Sequence, residues 1–313
     1  MTMRLSIVAT LYRSASHLDE FHARVSAAAA RFTPDYEIVL VNDGSPDHSL
    51  AVALKLLEHD DRIRIVDLAR NFGHHKAMMT GLAEARGDLV FLIDSDLEEP
   101  PELLTEFAEA MQDGQADVVY GVQDRRRGGL VERWSGWLFF KLFNLLSEQR
   151  IPENLVTVRL MTRRYVSALV SHRERKMMIA GLWALTGFNQ IARTVARGAK
   201  GETSYSFRRK VSLLVDSITS FSDRPLVLIF YLGLAIGVTS SLAAVYLVVR
   251  RLFFGVSLPG WPSLIVSVWM LGGLMLICLG IIGIYLSKIF IETKQRPYTI
   301  VRQVYERDVP RRV

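Results

Sequence analysis

The chain has 313 residues, room for one large domain or two, and half of them are hydrophobic. Its formal net charge is +6, which suits anionic partners: nucleic acid, an anionic membrane surface or phosphorylated substrates. One cysteine, Cys278, in an apolar segment excludes a disulfide framework and a Cys-based zinc site, and the opening M-T-M-R-L-S-I-V lacks the long apolar core of a signal peptide.

Residues 4 to 121 alternate in type. Ser6 to Ala9 reads as a strand, and His17 to Arg31 has helical spacing with Ser16 as N-cap. Glu37 to Val41 is a second strand and runs into the turn-rich N-D-G-S-P-D. Ser49 to Glu58 is helical, Ile63 to Val66 a strand, and Lys76 to Ala85 helical. Leu89 to Ile93 is a short apolar run of the kind buried on both faces. Asp94, Ser95 and Asp96 end it, and a helix follows from Pro101 to Gln112, then a strand from Asp117 to Tyr120. This βαβαβαβ order predicts a largely parallel sheet with right-handed crossovers, an α/β fold.

Thr10, Asp43, Arg70 and Asp94 each fall just after a strand. Parallel strands bring such ends to one edge of the sheet, where open α/β sheets bind ligands. No G-x-G-x-x-G follows the first strand and no P-loop occurs, which disfavours a dinucleotide enzyme or a P-loop NTPase. Asp94 and Asp96 are two residues apart, so as alternate residues of a strand they point into one space. Converging carboxylates call for a hard divalent cation, Mg2+ or Mn2+, with Glu98 as a third oxygen ligand. The competing reading is a solvated acidic turn; the position after a buried strand favours the metal-diphosphate reading. Asp43 reads as a ligand contact or as a brace of its own turn. His74 and His75 read as ordinary loop or cap residues.

The second half differs. Gln123 to Gly129 is basic and ends in glycine, and Trp134 to Leu146 is an aromatic-rich helix that belongs to the core or lies on a membrane surface. Tyr165 to Ser171 is helical, and 194–210 is basic again. Two uncharged apolar stretches, about 226–249 and 264–286, are long enough to cross a bilayer; the alternative is a buried hairpin in a soluble core. Lysines and arginines flank the outer ends of the pair, while Arg250 and Arg251 alone occupy the connection, so the positive-inside rule puts the large domain and both termini in the cytoplasm. The expected organisation is a catalytic domain at 1–205, a juxtamembrane amphipathic segment at 206–225, a two-helix transmembrane hairpin at 226–287 and a tail at 288–313.

These residues resemble a known family. V-N-D-G-S-P-D (41–47) resembles a D-D-G-S loop, L-A-R-N-F-G-H-H-K-A (68–77) an R-N-x-G motif, and D-S-D-L-E-E-P-P-E (94–102) a D-x-D-L-Q-x-P-P-E metal motif. Arg159, Leu160 and Met161 match its R-L-M, F-S-D-R-P-L (221–226) its approach to the membrane, and Q-R-P-Y (295–298) its tail. The chain is similar to family 2 glycosyltransferases of GT-A fold, in the polyprenyl-phosphate branch that includes dolichol-phosphate mannose synthase and the undecaprenyl-phosphate glucosyl- and formamido-arabinose transferases. The resemblance implies a metal-dependent, membrane-bound enzyme that moves a sugar from a nucleotide-diphosphate sugar, UDP-sugar favoured, to undecaprenyl or another polyprenyl phosphate. It implies inversion at the sugar carbon, a lipid-linked product for cell-envelope glycan or lipopolysaccharide modification, an inner-membrane location, and a homo-oligomer, a tetramer in relatives.

By motif, the nucleotide sugar would meet Thr10, Tyr12, Ser14, Asp43, Arg70, Lys76, Asp94 and Ser95. Asp94 and Asp96, with Glu98, would hold Mg2+ or Mn2+. Arg126 and Arg159 would act in catalysis and, with Lys200, Ser204 and Tyr205, hold the acceptor phosphate. The chain departs from the family at Thr10, Arg13 and Ser14 within P-x-Y-N-E, at Asn42 in place of the first Asp of D-D-G-S, at Gln123, and at Thr157, where many members carry Asp. The rival readings are a processive polysaccharide synthase, which would carry Q-x-x-R-W where this chain has Leu130 before Arg133-Trp134, and a non-catalytic nucleotide-sugar-binding adaptor, which would not need Asp94 and Asp96. Nucleic-acid binding fits the charge but no motif.

Overall fold

The computed structural model describes residues 4–111, 115–123, 154–174, 179–195, 215, 219, 222–254 and 260–307. The first part of the chain runs β1 (Leu5–Leu11), α1 (Leu18–Phe32), β2 (Tyr36–Asn42), α2 (Ser49–His59), β3 (Ile63–Leu68), α3 (His74–Glu84), β4 (Leu89–Leu92), α4 (Leu103–Met111) and β5 (Val118–Val122). It continues with β6 (Leu155–Thr162), α5 (Arg163–Ser171), α6 (Ile179–Leu185) and β7 (Gln190–Thr194). Then come the long helices α7 (Arg224–Phe254) and α8 (Trp261–Thr293), and a last strand, β8 (Val301–Glu306).

The strands form one eight-stranded sheet in the order β7-β5-β6-β4-β1-β2-β3-β8. The pairs β4/β1, β1/β2 and β2/β3 are parallel, as the alternating sequence predicts, whereas β6 is antiparallel to both β4 and β5. Every residue of β1 to β4 is buried, the signature of strands covered on both faces. Alternation sorts them. Ile7, Ile38, Ile65, Phe91 and Leu160 join Phe21 and Phe107 from α1 and α4 on one face. Val8, Val39, Val66, Val90 and Met161 join Met78, Tyr165 and Trp183 from α3, α5 and α6 on the other.

Two expectations change. Ser16 does not cap α1: His17 is the cap residue and no side chain caps it, because the main chain closes the turn, His17 N–H donating to the Ser14 carbonyl at 3.1 Å. The stretch after the apolar helices is not merely a tail. β8 pairs antiparallel with β3, and the Ala69 N–H donates to the Ile300 carbonyl at 2.9 Å. Arg302 adds bonds to Asp67 Oδ2 at 3.3 Å and to the Ala69 carbonyl at 2.7 Å. This strand belongs with the sheet in one compact unit; α7 and α8 form another.

The helices α7 and α8 have 31 and 33 residues and contain the two expected spans. At ~1.5 Å per residue each exceeds about 45 Å, more than the ~30 Å hydrocarbon core of a bilayer. Their most apolar windows, within Arg224–Leu247 and Ser267–Thr293, have no buried residues. A core hairpin of a soluble protein would be mostly buried, which the described residues of these windows are not. Pro262 sits in the first turn of α8, where its missing N–H costs nothing.

Candidate active site

The strand order reverses between β1 and β4: the chain winds from β1 out to β3 on one side and returns to β4 on the other. This is the topological switch point of an open α/β sheet, where adjacent loops diverge and leave a crevice. Thr10 ends one wall, and Asp94, two residues past Leu92, begins the other.

Hydroxyls tie the walls together. Ser95 Oγ donates to the Thr10 carbonyl at 2.8 Å and lies 3.0 Å from Ser14 Oγ. A hydroxyl has one hydrogen, so Ser14 is the donor to Ser95, and it accepts the Tyr12 N–H at 3.2 Å. Ser14 and Ser95 are buried, whereas Tyr12 is exposed and available to a ligand. Ser14 and Ser95 are thus braces of the crevice. A second tie is His74, at the start of α3. Its Nδ1 is 3.0 Å from Thr10 Oγ1 and its Nε2 3.3 Å from Asp94 Oδ1. Nothing but its place in the R-N-F-G-H-H stretch points to this residue in the sequence.

Asp43 is buried and braces not its own turn but the loop after β3, taking the N–H of Phe72 at 2.7 Å and of Gly73 at 3.0 Å. Burial raises its pKa above the ordinary value, against the opposing pull of those two N–H groups and of His74 and Arg70. Gly44 lies at φ 56, and a Cβ there would stand 2.4 Å from Asn71 N, so only glycine lets the two loops meet. The Asn42 departure has a cause: its Nδ2 donates to buried Asp67 Oδ1 at 2.7 Å, where a second carboxylate would repel.

Arg70 adds its positive charge near Asp43. Its Nη1 donates to the Asn71 carbonyl at 2.9 Å, its guanidinium stacks 4.1 Å from the Phe72 ring centre, and it lines an open cavity of about 520 Å³ with Asn42, His48 and Arg302. Lys76 is half-buried in the first turn of α3. Asp47 helps shape the same cavity and starts α2. Burial raises its pKa, but bonds from Ser45 Oγ (2.5 Å), Ser49 Oγ (2.6 Å) and the Ser49 N–H (3.1 Å) outweigh this and hold it well below the carboxylate range.

The D-x-D geometry also differs from expectation. β4 stops at Leu92, and Asp96 lies in a turn rather than on a strand. Leu97, at φ 61, takes the left-handed conformation, and Asp96 Oδ1 accepts the Glu98 N–H at 3.1 Å. Among the described residues no three His, Cys, Asp or Glu side chains gather into a metal-holding group, and Glu98 is half-buried two residues beyond Asp96. Two half-buried carboxylates on a loop still fit Mg2+ or Mn2+, which take most of their ligands from water and substrate phosphates.

Arg159 lies lower than expected. It pairs across the sheet with Leu92 on β4 and Tyr120 on β5. Its side chain is 1% exposed, with the guanidinium 3.0 Å from the Trp183 ring centre. Nε donates to the Thr157 carbonyl at 3.2 Å and Nη2 to that of Val156 at 3.4 Å. Among the described residues no carboxylate is shown pairing with it, and burial pushes its pKa down to about 9. Trp183 Nε1, beside it, is buried without a hydrogen-bond partner. Arg126, Lys200, Ser204 and Tyr205, and the 134–146 helix, lie outside the described residues.

The sequence matches the family described as Glycosyl transferase family 2 over residues 6–170, from β1 into α5. A protein of Mycobacterium tuberculosis (strain CDC 1551 / Oshkosh) named as a putative glycosyltransferase is 55% identical over 99% of this chain and 91% of its own length. A prophage bactoprenol glucosyl transferase homolog of Escherichia coli (strain K12) is 31% identical over 96% of this chain and 99% of its own. The bactoprenol glucosyl transferase of Shigella phage SfV is 32% identical over 96% and 98%. With its mostly parallel sheet covered by helices on both faces, the chain belongs to glycosyl transferase family 2 and has the GT-A architecture expected of it.

Proposed function

We propose that this glycosyltransferase moves a sugar from a nucleoside-diphosphate sugar, UDP-sugar favoured, to a polyprenyl phosphate such as undecaprenyl phosphate, with inversion at the anomeric carbon. The observation that carries the reading is the pair Asp94 and Asp96 at the switch point between β1 and β4. The relatives named bactoprenol glucosyl transferase support the acceptor class. The unburied apolar helices support a membrane anchor, with the catalytic unit and both termini on the cytoplasmic side.

In this reading exposed Tyr12 and the Asp43-braced loop face the nucleotide, and Asp94 and Asp96 would hold Mg2+ or Mn2+. When bound, such a cation supplies Lewis acidity that spreads the charge of the leaving diphosphate. An acceptor phosphate oxygen forms the new bond to the anomeric carbon as the bond to the nucleoside diphosphate breaks, and the electron pair leaves on the diphosphate. The acceptor is already an anion, so no base need remove a proton. It needs aim and desolvation, which arginines provide by paired hydrogen bonds. Arg126, Arg159, Lys200, Ser204 and Tyr205 are the groups proposed for this from the sequence; of these Arg159 is buried against Trp183 in this structure. The product would be a lipid-linked sugar for cell-envelope or lipopolysaccharide modification.

The test is a donor panel. Purified protein in detergent receives undecaprenyl phosphate, Mn2+ or Mg2+, and radiolabelled UDP-, GDP- and dTDP-sugars. Label in the organic phase with one donor identifies the substrate pair. Failure of a widened panel, with nucleotide binding intact, would favour a binding protein without transfer.

A further inference from the structure

His74 bonds to both walls of the crevice. The first residue of α3, it follows Gly73, whose N–H is held by buried Asp43 at 3.0 Å. Its ring then reaches Thr10 Oγ1 on β1 at 3.0 Å and Asp94 Oδ1 beyond β4 at 3.3 Å. An ionised carboxylate only accepts, and Nε2 lies at ion-pair distance, 3.3 Å, from Asp94 Oδ1. Nδ1 and the Thr10 hydroxyl lie at hydrogen-bond distance, 3.0 Å, with the ring's tautomer setting which of the two donates. Thr10 is one of the positions where the chain departs from the family's P-x-Y-N-E, and a proline there would have no hydroxyl to give.

We propose that His74 is a positioning residue for the donor's divalent cation: it acts through Asp94, and Thr10 fixes the ring that does so. The proposal rests on the reading of Asp94 as a cation ligand. Asp94 is on a loop and keeps 18% of its side-chain surface exposed, and the His74 ring is a group placed to restrict its rotamers. A backbone anchored by Asp43 and a ring held by Thr10 leave His74 one orientation, and that orientation is passed on to the carboxylate. This is the usual work of a group behind a metal ligand.

The experiment measures Mn2+ affinity by the loss of the free-ion electron paramagnetic resonance signal, on the full chain in detergent with UDP present. His74→Gln places an amide N–H near the position of Nε2 and can reach Asp94; His74→Asn is shorter and reaches only toward Thr10. Wild type and His74→Gln should agree within about threefold, while His74→Asn and His74→Ala should bind Mn2+ about 10–100-fold more weakly. Thr10→Val should weaken Mn2+ binding in the wild-type background and add nothing to His74→Ala. Equal affinity for His74→Asn and His74→Gln would overturn the proposal, and that comparison holds even where His74→Ala fails to fold. Additive losses from Thr10→Val and His74→Ala would overturn the part given to Thr10. Wild type that binds UDP equally with and without Mn2+ would sink the cation reading of Asp94 itself, a different failure from the loss of His74's role alone.

Discussion

Replacing Arg159 by methionine should make the protein more stable and inactive. The guanidinium is 1% exposed, bonds to two main-chain carbonyls and has the Tyr165 hydroxyl as a further stabilising partner, and burial moves its pKa down from the ordinary arginine value to about 9. At ~1.36 kcal/mol per pH unit, that gap bounds the penalty of keeping the charge buried at about 5 kcal/mol. The folded value is depressed for a base, so the penalty is complete below about pH 9 and is relieved as pH rises above it. Methionine keeps the apolar stem and forfeits the stacking on Trp183, worth about 2 kcal/mol when desolvated. A net gain of about 1–3 kcal/mol remains, in line with other replacements of buried charge by apolar groups of similar volume. Thermal denaturation in detergent near neutral pH should show Tm raised by about 2–4 °C per kcal/mol, with transfer to polyprenyl phosphate lost. A variant less stable than wild type by more than about 1 kcal/mol, with transfer retained, would refute the reasoning: Arg159 would then be a structural group and not one kept for an anion.

Further consequences follow from the braces. Gly44→Ala forces a side chain into φ 56 and against Asn71 N at 2.4 Å; a loss of at least about 2 kcal/mol in urea denaturation is expected, with nucleotide affinity falling as the Asp43-held loop shifts. Arg302→Ala removes a partner of Asp67, which is 1% exposed, and should cost about 1–3 kcal/mol; an unchanged midpoint would mean that Asn42 alone satisfies the carboxylate. Burial raises the pKa of Asp117, but bonds from Arg164, the Asn189 N–H and Thr162 outweigh it, so the folded value lies below 3.8. A depressed carboxyl contributes stability above its unfolded pKa, which is lost as pH falls through the folded one. Asp117→Asn should therefore flatten the stability loss as pH falls below the ordinary carboxylate range.

The central sheet was legible because β1 to β4 are apolar runs separated by amphipathic helices, and parallel order follows from that alternation. β6 was harder: V-T-V-R-L-M-T has a charge in its middle, and no short-range pattern tells of an antiparallel strand inserted between β4 and β5. β8, V-R-Q-V-Y-E, is an exposed edge strand held by charges on β3 and its neighbours, so its partners are distant in sequence. At the site, type and place were readable for Asp94 and Asp96. Function within the crevice was not: Ser14 and Ser95 are hydroxyl ties, and His74 joins residues 64 and 20 positions away. Such links depend on which loops the sheet brings together, and spacing along the chain does not record them.

The most direct test of the account is transfer by the wild type and Asp96→Asn side by side, with undecaprenyl phosphate in lipid vesicles, the donor found in the panel, and Mn2+ or EDTA. Label should move into the lipid phase with wild type and Mn2+, and fall by several orders of magnitude with EDTA or Asp96→Asn while the variant remains folded. Asp96→Asn transferring at the wild-type rate, or wild type indifferent to EDTA, would contradict the claim that the carboxylates at the β1–β4 switch point hold the donor's cation.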